Sequence, residues 1–120
     1  MAILKSRDVG DIVVVDFADT KILDEHRILQ IGKELLELEA QATVNKKMLV
    51  NFQGVEFMSS AMLGQLAKLN KQAKGDNVEL KLCCISANVL QVFKMMRLNR
   101  IAFATEKKAL AAFEKTGWFG

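Results

Sequence analysis

Apolar residues recur along this chain with two periods, and the switches between them mark out its elements. Ile3-Leu4-Lys5 and Ile12-Val13-Val14-Val15-Asp16-Phe17 are short β-biased stretches separated by the turn-like Asp8-Val9-Gly10-Asp11, which predicts an opening hairpin. From Asp24 the spacing changes to steps of three and four. Ile28, Ile31, Leu35, Leu38 and Ala42, with Arg27, Gln30, Lys33, Glu34, Glu37 and Gln41 between them, make the apolar stripe of an amphipathic helix. Asp24 suits its N-cap, because a carboxylate there accepts from a free N–H of the first turn.

Met48-Leu49-Val50-Asn51-Phe52 is nearly continuous in apolar residues, as a central strand covered on both faces should be. After the loop Gln53-Gly54-Val55-Glu56, the residues Leu63, Leu66, Ala67, Leu69 and Ala73 mark a second helix, starting near Ser60 and ending at Gly75 as C-cap. Val78, Leu80 and Leu82 alternate with Glu79 and Lys81 before Cys83-Cys84-Ile85, giving a fourth strand. Ser86 and Asn88 introduce a third helix with Val89, Phe93 and Met96 on one face. Ile101-Ala102-Phe103 reads as a short edge strand, and a last helix runs through Ala109, Leu110 and Phe113 to an aromatic tail, Gly117-Trp118-Phe119-Gly120. The order β-β-α-β-α-β-α-β-α predicts an α/β fold with a mixed sheet of four to five strands and about four helices, parallel wherever a helix intervenes.

At 120 residues the chain is sized for one domain, 1–120, with one core. Half its residues are apolar and a quarter charged, an ordinary globular balance. It contains no apolar run long enough to cross a bilayer and no signal-peptide pattern, so a cytoplasmic protein is expected, with no membrane partner. The net charge of +3 is spread among interleaved acids and bases, and the densest basic spots, Lys46-Lys47 and Lys107-Lys108, lack stacking aromatics; no nucleic-acid partner is expected. Cys83 and Cys84 read as small core thiols, one on each face of a strand, in a reducing compartment.

Chemistry is scarce. One histidine, His26, and two adjacent cysteines offer no metal-ligand spacing, and no phosphate-cradling glycine loop is present, so no metal, cofactor or enzymatic activity is expected. His26 falls on the polar side of a helix's first turn, where an exposed residue is expected rather than a catalytic one. The unusual segment is Val55 to Gly64: Ser59 and Ser60 stand where a loop becomes a helix, beside Met58 and Met62, both of exposed character. Composition alone leaves a plain N-cap serine and a functional hydroxyl both open.

The run from Asn51 to Gly64 resembles, without gaps, the pattern Asp-hydrophobic-x-x-Val-x-Phe-Met-Asp-Ser-Ser/Thr-Gly-Leu-Gly of the STAS-domain family, in particular the bacterial anti-sigma-factor antagonists. Leu23-Asp24 is similar to that family's start of the first helix. Ser86-Ala87-Asn88-Val89, Val92-Phe93 and Leu98-Asn99-Arg100-Ile101 resemble its third-helix region. The resemblance implies a single STAS-like domain and places the family's phosphorylated serine on Ser60, with Ser59 as the second choice, and its loop aspartate on Asp24. It implies binding to a serine kinase that is itself an anti-sigma factor, release on phosphorylation, and resetting by a serine phosphatase. Partner contacts are then expected at Asp24, Met58, Ser59, Ala61, Met62 and Met95. Three departures from the pattern matter: Ser59 replaces an acid, Ala61 a Ser or Thr, and Met62 a glycine. These departures keep alive an alternative, a scaffold or interaction module of the same fold without phosphorylation.

Overall fold

A computed structural model describes residues 3–42 and 46–117, the side chains of 114–117 excepted. The tail Trp118-Phe119 lies outside the described residues.

Five strands form the main sheet in the order β1-β2-β4-β6-β7: β1 (Lys5–Val9), β2 (Ile12–Asp16), β4 (Lys47–Asn51), β6 (Glu79–Cys83) and β7 (Ala102–Phe103). Only β1 and β2 are antiparallel, because only they are joined by a hairpin; the remaining pairs are parallel and linked through helices. The helices are α1 (Glu25–Gln41), α2 (Ser60–Gly75), α3 (Ala87–Met95) and α4 (Glu106–Gly117), with a 3₁₀ turn at Leu98–Ile101. Two further strands of two residues each, β3 (Lys21–Ile22) and β5 (Phe57–Met58), pair with each other in parallel.

The pleat sends alternate residues to opposite faces. Val15, Met48, Val50, Leu80 and Leu82 join the main core under α1, α2 and α3. Ile12, Val14, Leu49 and Cys83 face the other way, onto Ala109 and Phe113 of α4. β4, central and covered on both sides, is buried from Met48 through Asn51, as its apolar run requires. Each buried Val, Leu, Ile, Met or Phe among these contributes about 1.5–3 kcal/mol by leaving water.

Asp24 caps α1, its carboxylate accepting from Arg27 N–H at 3.1 Å, and Ser86 caps α3, accepting from Val89 N–H at 3.4 Å. Several local expectations shift. The first strand lies beyond Ile3-Leu4, whose amides are held instead by the Glu34 carboxylate of α1 at 2.9 and 3.0 Å. The hairpin turn narrows to Gly10-Asp11, with Gly10 at φ 62°. α2 ends on Gly75 as a helical residue and is capped by Asp76, the left-handed residue being Asn77 at φ 59°. Cys83 closes β6, whereas Cys84 lies past it at φ 62°, so the two do not alternate across a strand; both are free thiols. Met96 is 39% exposed at the C-cap of α3, and Leu98 takes the buried place expected for it.

One buried carboxyl joins the helices. Glu39 of α1, four residues after Leu35 on the inward stripe, is fully buried; its Oε2 accepts from Gln72 Nε2 at 2.6 Å, while Oε1 has no hydrogen-bond partner among the described residues. Burial, reinforced by the nearby Asp76, raises its pKa. A raised carboxyl pKa favours the fold fully below the unfolded value of about 4.3, and that contribution is lost as pH rises through the folded value. Glu39→Gln is therefore expected to raise the thermal midpoint at pH 7–8 and to lose this advantage toward about pH 4, a trend that melts across pH will check.

Candidate functional site

The loops at the C-terminal ends of the parallel strands are gathered by the β3·β5 pair. Thr20 C=O accepts from Glu56 N–H at 2.8 Å and Phe57 N–H at 3.3 Å, and Ile22 C=O accepts from Ser59 N–H at 3.0 Å. With Lys21 opposite Phe57 and Ile22 opposite Met58, the two chains run on side by side into Leu23-Asp24 and Ser59-Ser60. This short pairing therefore brings together the N-termini of α1 and α2, and with them the expected residues Asp24 and Ser60.

Ser60 is the first residue of α2 and is exposed, as is Ala61 beside it. Ser59 is the N-cap, in extended backbone at φ −79° and ψ 161°, but its side chain caps nothing: Oγ is buried without a hydrogen-bond partner among the described residues. Ser60 therefore sits at the positive dipole end of α2, where no side chain caps the helix. Asp24 is exposed but engaged as the α1 cap, and Arg27 beside it pairs with Asp19 at 2.5 Å. His26 is exposed in the first turn of α1.

The methionines divide. Met58 is half-buried and Met95 is 84% exposed, but Met62 is entirely buried and supplies no contact surface, contrary to its exposed reading. The helical period explains the correction: Met62 falls on the inward stripe with Leu66, Leu69 and Ala73. On the segments leading to Ser60, the exposed apolar residues Leu23, at 53%, and Phe57, at 46%, escaped the sequence reading; Phe57 lies 5.8 Å from Lys21 Nζ. α3, which carries Met95, packs against β5.

A polar network fixes the loop that leads from β4 to Ser60. Buried Asn51 donates from Nδ2 to Glu106 Oε1 at 2.9 Å and accepts from Gln53 N–H at 2.8 Å. Arg7 bridges Asp16, at 2.8 Å, and Glu106. Its hydrogen bond holds the Glu106 carboxyl below the usual range, a contribution to stability present at neutral pH and lost as pH falls through that lowered value.

Among the described residues no three His, Cys, Asp or Glu side chains group to hold a metal ion. What the arrangement offers is an exposed serine at a helix start, with the exposed apolar residues Leu23 and Phe57 on the paired segments that lead to it.

A family model for the STAS domain matches residues 6–109. The chain belongs to the STAS domain family. Solved structures share its fold. The Bacillus cell-fate determinant SpoIIAA in its phosphorylated form superposes at a TM-score of 0.71 and 20% identity, over 92% of this chain and 98% of that one. An anti-sigma-factor antagonist (STAS) domain protein from Planctomyces limnophilus gives 0.72 at 22% identity, over 93% and 98%. An anti-sigma factor antagonist from Mycobacterium paratuberculosis gives 0.78 at 16% identity, over 91% of each chain. Among curated protein sequences none matches. Within the described residues of this STAS domain, no helix is long and apolar enough to cross a membrane.

Proposed function

We propose that this STAS domain is an anti-sigma-factor antagonist of the cytoplasm: it docks on a serine kinase that is also an anti-sigma factor, is released when Ser60 is phosphorylated, and is reset by a serine phosphatase. The observation that carries the reading is the exposed Ser60 hydroxyl at the first position of α2, beside the exposed apolar residues Leu23 and Phe57. A serine hydroxyl is a weak nucleophile, and the base, Mg²⁺ and ATP come from the kinase, so the antagonist itself needs no catalytic residues. The hydroxyl oxygen attacks the γ-phosphorus of ATP, ADP leaves, and the hydroxyl proton passes to the kinase base.

With a cognate serine kinase and Mg²⁺-ATP, intact-mass analysis should show one added phosphate, peptide mapping should place it on Ser60, and Ser60→Ala should abolish it while still binding the kinase. A scaffold of the same fold that is never phosphorylated is the second reading, favoured by the missing acid at Ser59, whose hydroxyl leaves the α2 cap unfilled. Stable binding to the kinase with no mass change would establish the scaffold and overturn the switch.

A further inference from the structure

We infer that the C-terminal end of α3 and the groove beside β7 form a docking surface for an acidic segment of a partner protein, anchored by one apolar side chain. Its recognition chemistry does not use the Ser60 hydroxyl and requires no modification.

Its charge is one-sided. Between Leu80 and Thr105 the sequence contains no Asp or Glu, yet it holds Lys81, Lys94, Arg97 and Arg100. Of these four, Lys81 is paired, with Glu79, as Arg7 is with Asp16 and Glu106, Arg27 with Asp19 and Lys47 with Asp11. Lys94, Arg97 and Arg100 are exposed, and none of them forms an ion pair among the described residues. Three unmatched cations within seven residues repel one another, and an acidic partner relieves that repulsion while steering its own approach.

The same stretch exposes apolar surface. Met95 is 84% exposed and Met96 39%, where two methionines ending an amphipathic helix would ordinarily be buried. Methionine's flexible, polarisable side chain suits adaptable protein contacts. Through Leu90 and Lys94 this helix also lines a groove of about 380 Å³ that includes Ile85, Phe103 and Ala104, with Lys94 and Asn99 supplying its polar groups. A volume of that order sits at the small end of binding pockets and suits one or two side chains of leucine or phenylalanine size.

The occupant follows from these two features together. Nucleic acid would call for exposed rings on which bases stack, and the ring lining the groove, Phe103, already has Lys81 Nζ 5.4 Å from its centroid. An anionic membrane surface favours larger basic clusters and a flat apolar face, whereas this surface is concave and narrow. An acidic peptide with an apolar anchor satisfies both the cations and the groove.

The test uses ¹⁵N-labelled full chain and the probe peptide Gly-Asp-Glu-Asp-Leu-Phe-Glu-Asp-Glu-Gly. Its titration should shift the amide signals of Leu90, Lys94, Phe103 and Ala104, and added salt should weaken the binding. Affinity should fall about fivefold or more in Lys94→Glu/Arg97→Glu, in Ala104→Leu, which fills the groove, and for a peptide with Gly-Gly in place of Leu-Phe. The spectra themselves report that each variant is folded. The inference is overturned if no shifts appear up to about 1 mM peptide, a weak-binding limit of about 4 kcal/mol. It is equally overturned if the shifts map elsewhere, if the double variant binds as wild type, or if phosphatidylglycerol vesicles or a DNA duplex perturb these residues more strongly than the peptide. No kinase or phosphate takes part, so the outcome is independent of the Ser60 switch.

Discussion

Ser60→Glu is expected to weaken binding to the partner kinase at least tenfold, about 1.4 kcal/mol or more, while leaving the fold as stable as before or slightly more so. The opposite directions arise from one feature. A negative charge at the first turn of α2 meets free amide N–H groups and the positive end of the helix dipole, which is worth about 0.3–1 kcal/mol in favour of the fold. The same charge enters an apolar rim that includes Leu23 and Phe57, and a partner covering that rim would have to desolvate it. A phosphate, carrying about −1.5 to −2 charges, should act in the same sense and more strongly. Pull-down or calorimetric titration of wild type, Ser60→Ala and Ser60→Glu, each with its thermal melt, separates a veto on docking from misfolding. If Ser60→Glu binds as tightly as wild type, the charge-veto mechanism is wrong.

Met62→Gly is expected to cost about 3–5 kcal/mol, although it restores the residue usual in the resembling pattern. Met62 is fully buried among the inward residues of α2, so the substitution removes a packed side chain and also places a glycine inside a helix. Against a domain stability of about 5–15 kcal/mol that loss should lower the thermal midpoint by roughly 10–20 °C. Met62→Leu, which nearly preserves the volume, should cost less than about 1.5 kcal/mol. Chemical denaturation of the three proteins tests the contrast. Equal stability of Met62→Gly and wild type would mean that this part of the core is less closely packed than the structure indicates.

Elements whose sequence carries a strong local period were legible from it. The stripe Ile28-Ile31-Leu35 predicts α1, the continuous run in β4 predicts a strand buried on both faces, and Asp24 and Ser86 are found as the caps their positions suggest. Ser60 was placed at the start of α2 in the same way. Glu39 also lies on the α1 stripe, four residues beyond Leu35, so its burial was signalled by position, although its charge argued against it. Met62 was misread because exposure was inferred from its neighbours in sequence rather than from the helical period that aligns it with Leu66.

Sequence by itself determined the four helices and the strands β2, β4 and β6, and where the two serines fall, because these follow from periods of two and 3.6 residues and from caps that act within a single turn. Only the tertiary structure decided what those serines stand beside. Two residues of β3 and two of β5 carry no readable period, and their pairing joins chain positions more than thirty residues apart, yet this pairing sets the Asp24 loop against the Ser60 helix start and leaves Phe57 facing outward. The Arg7–Glu106–Asn51 network is likewise made of residues distant in sequence that meet only once the sheet is assembled and α4 is packed on it.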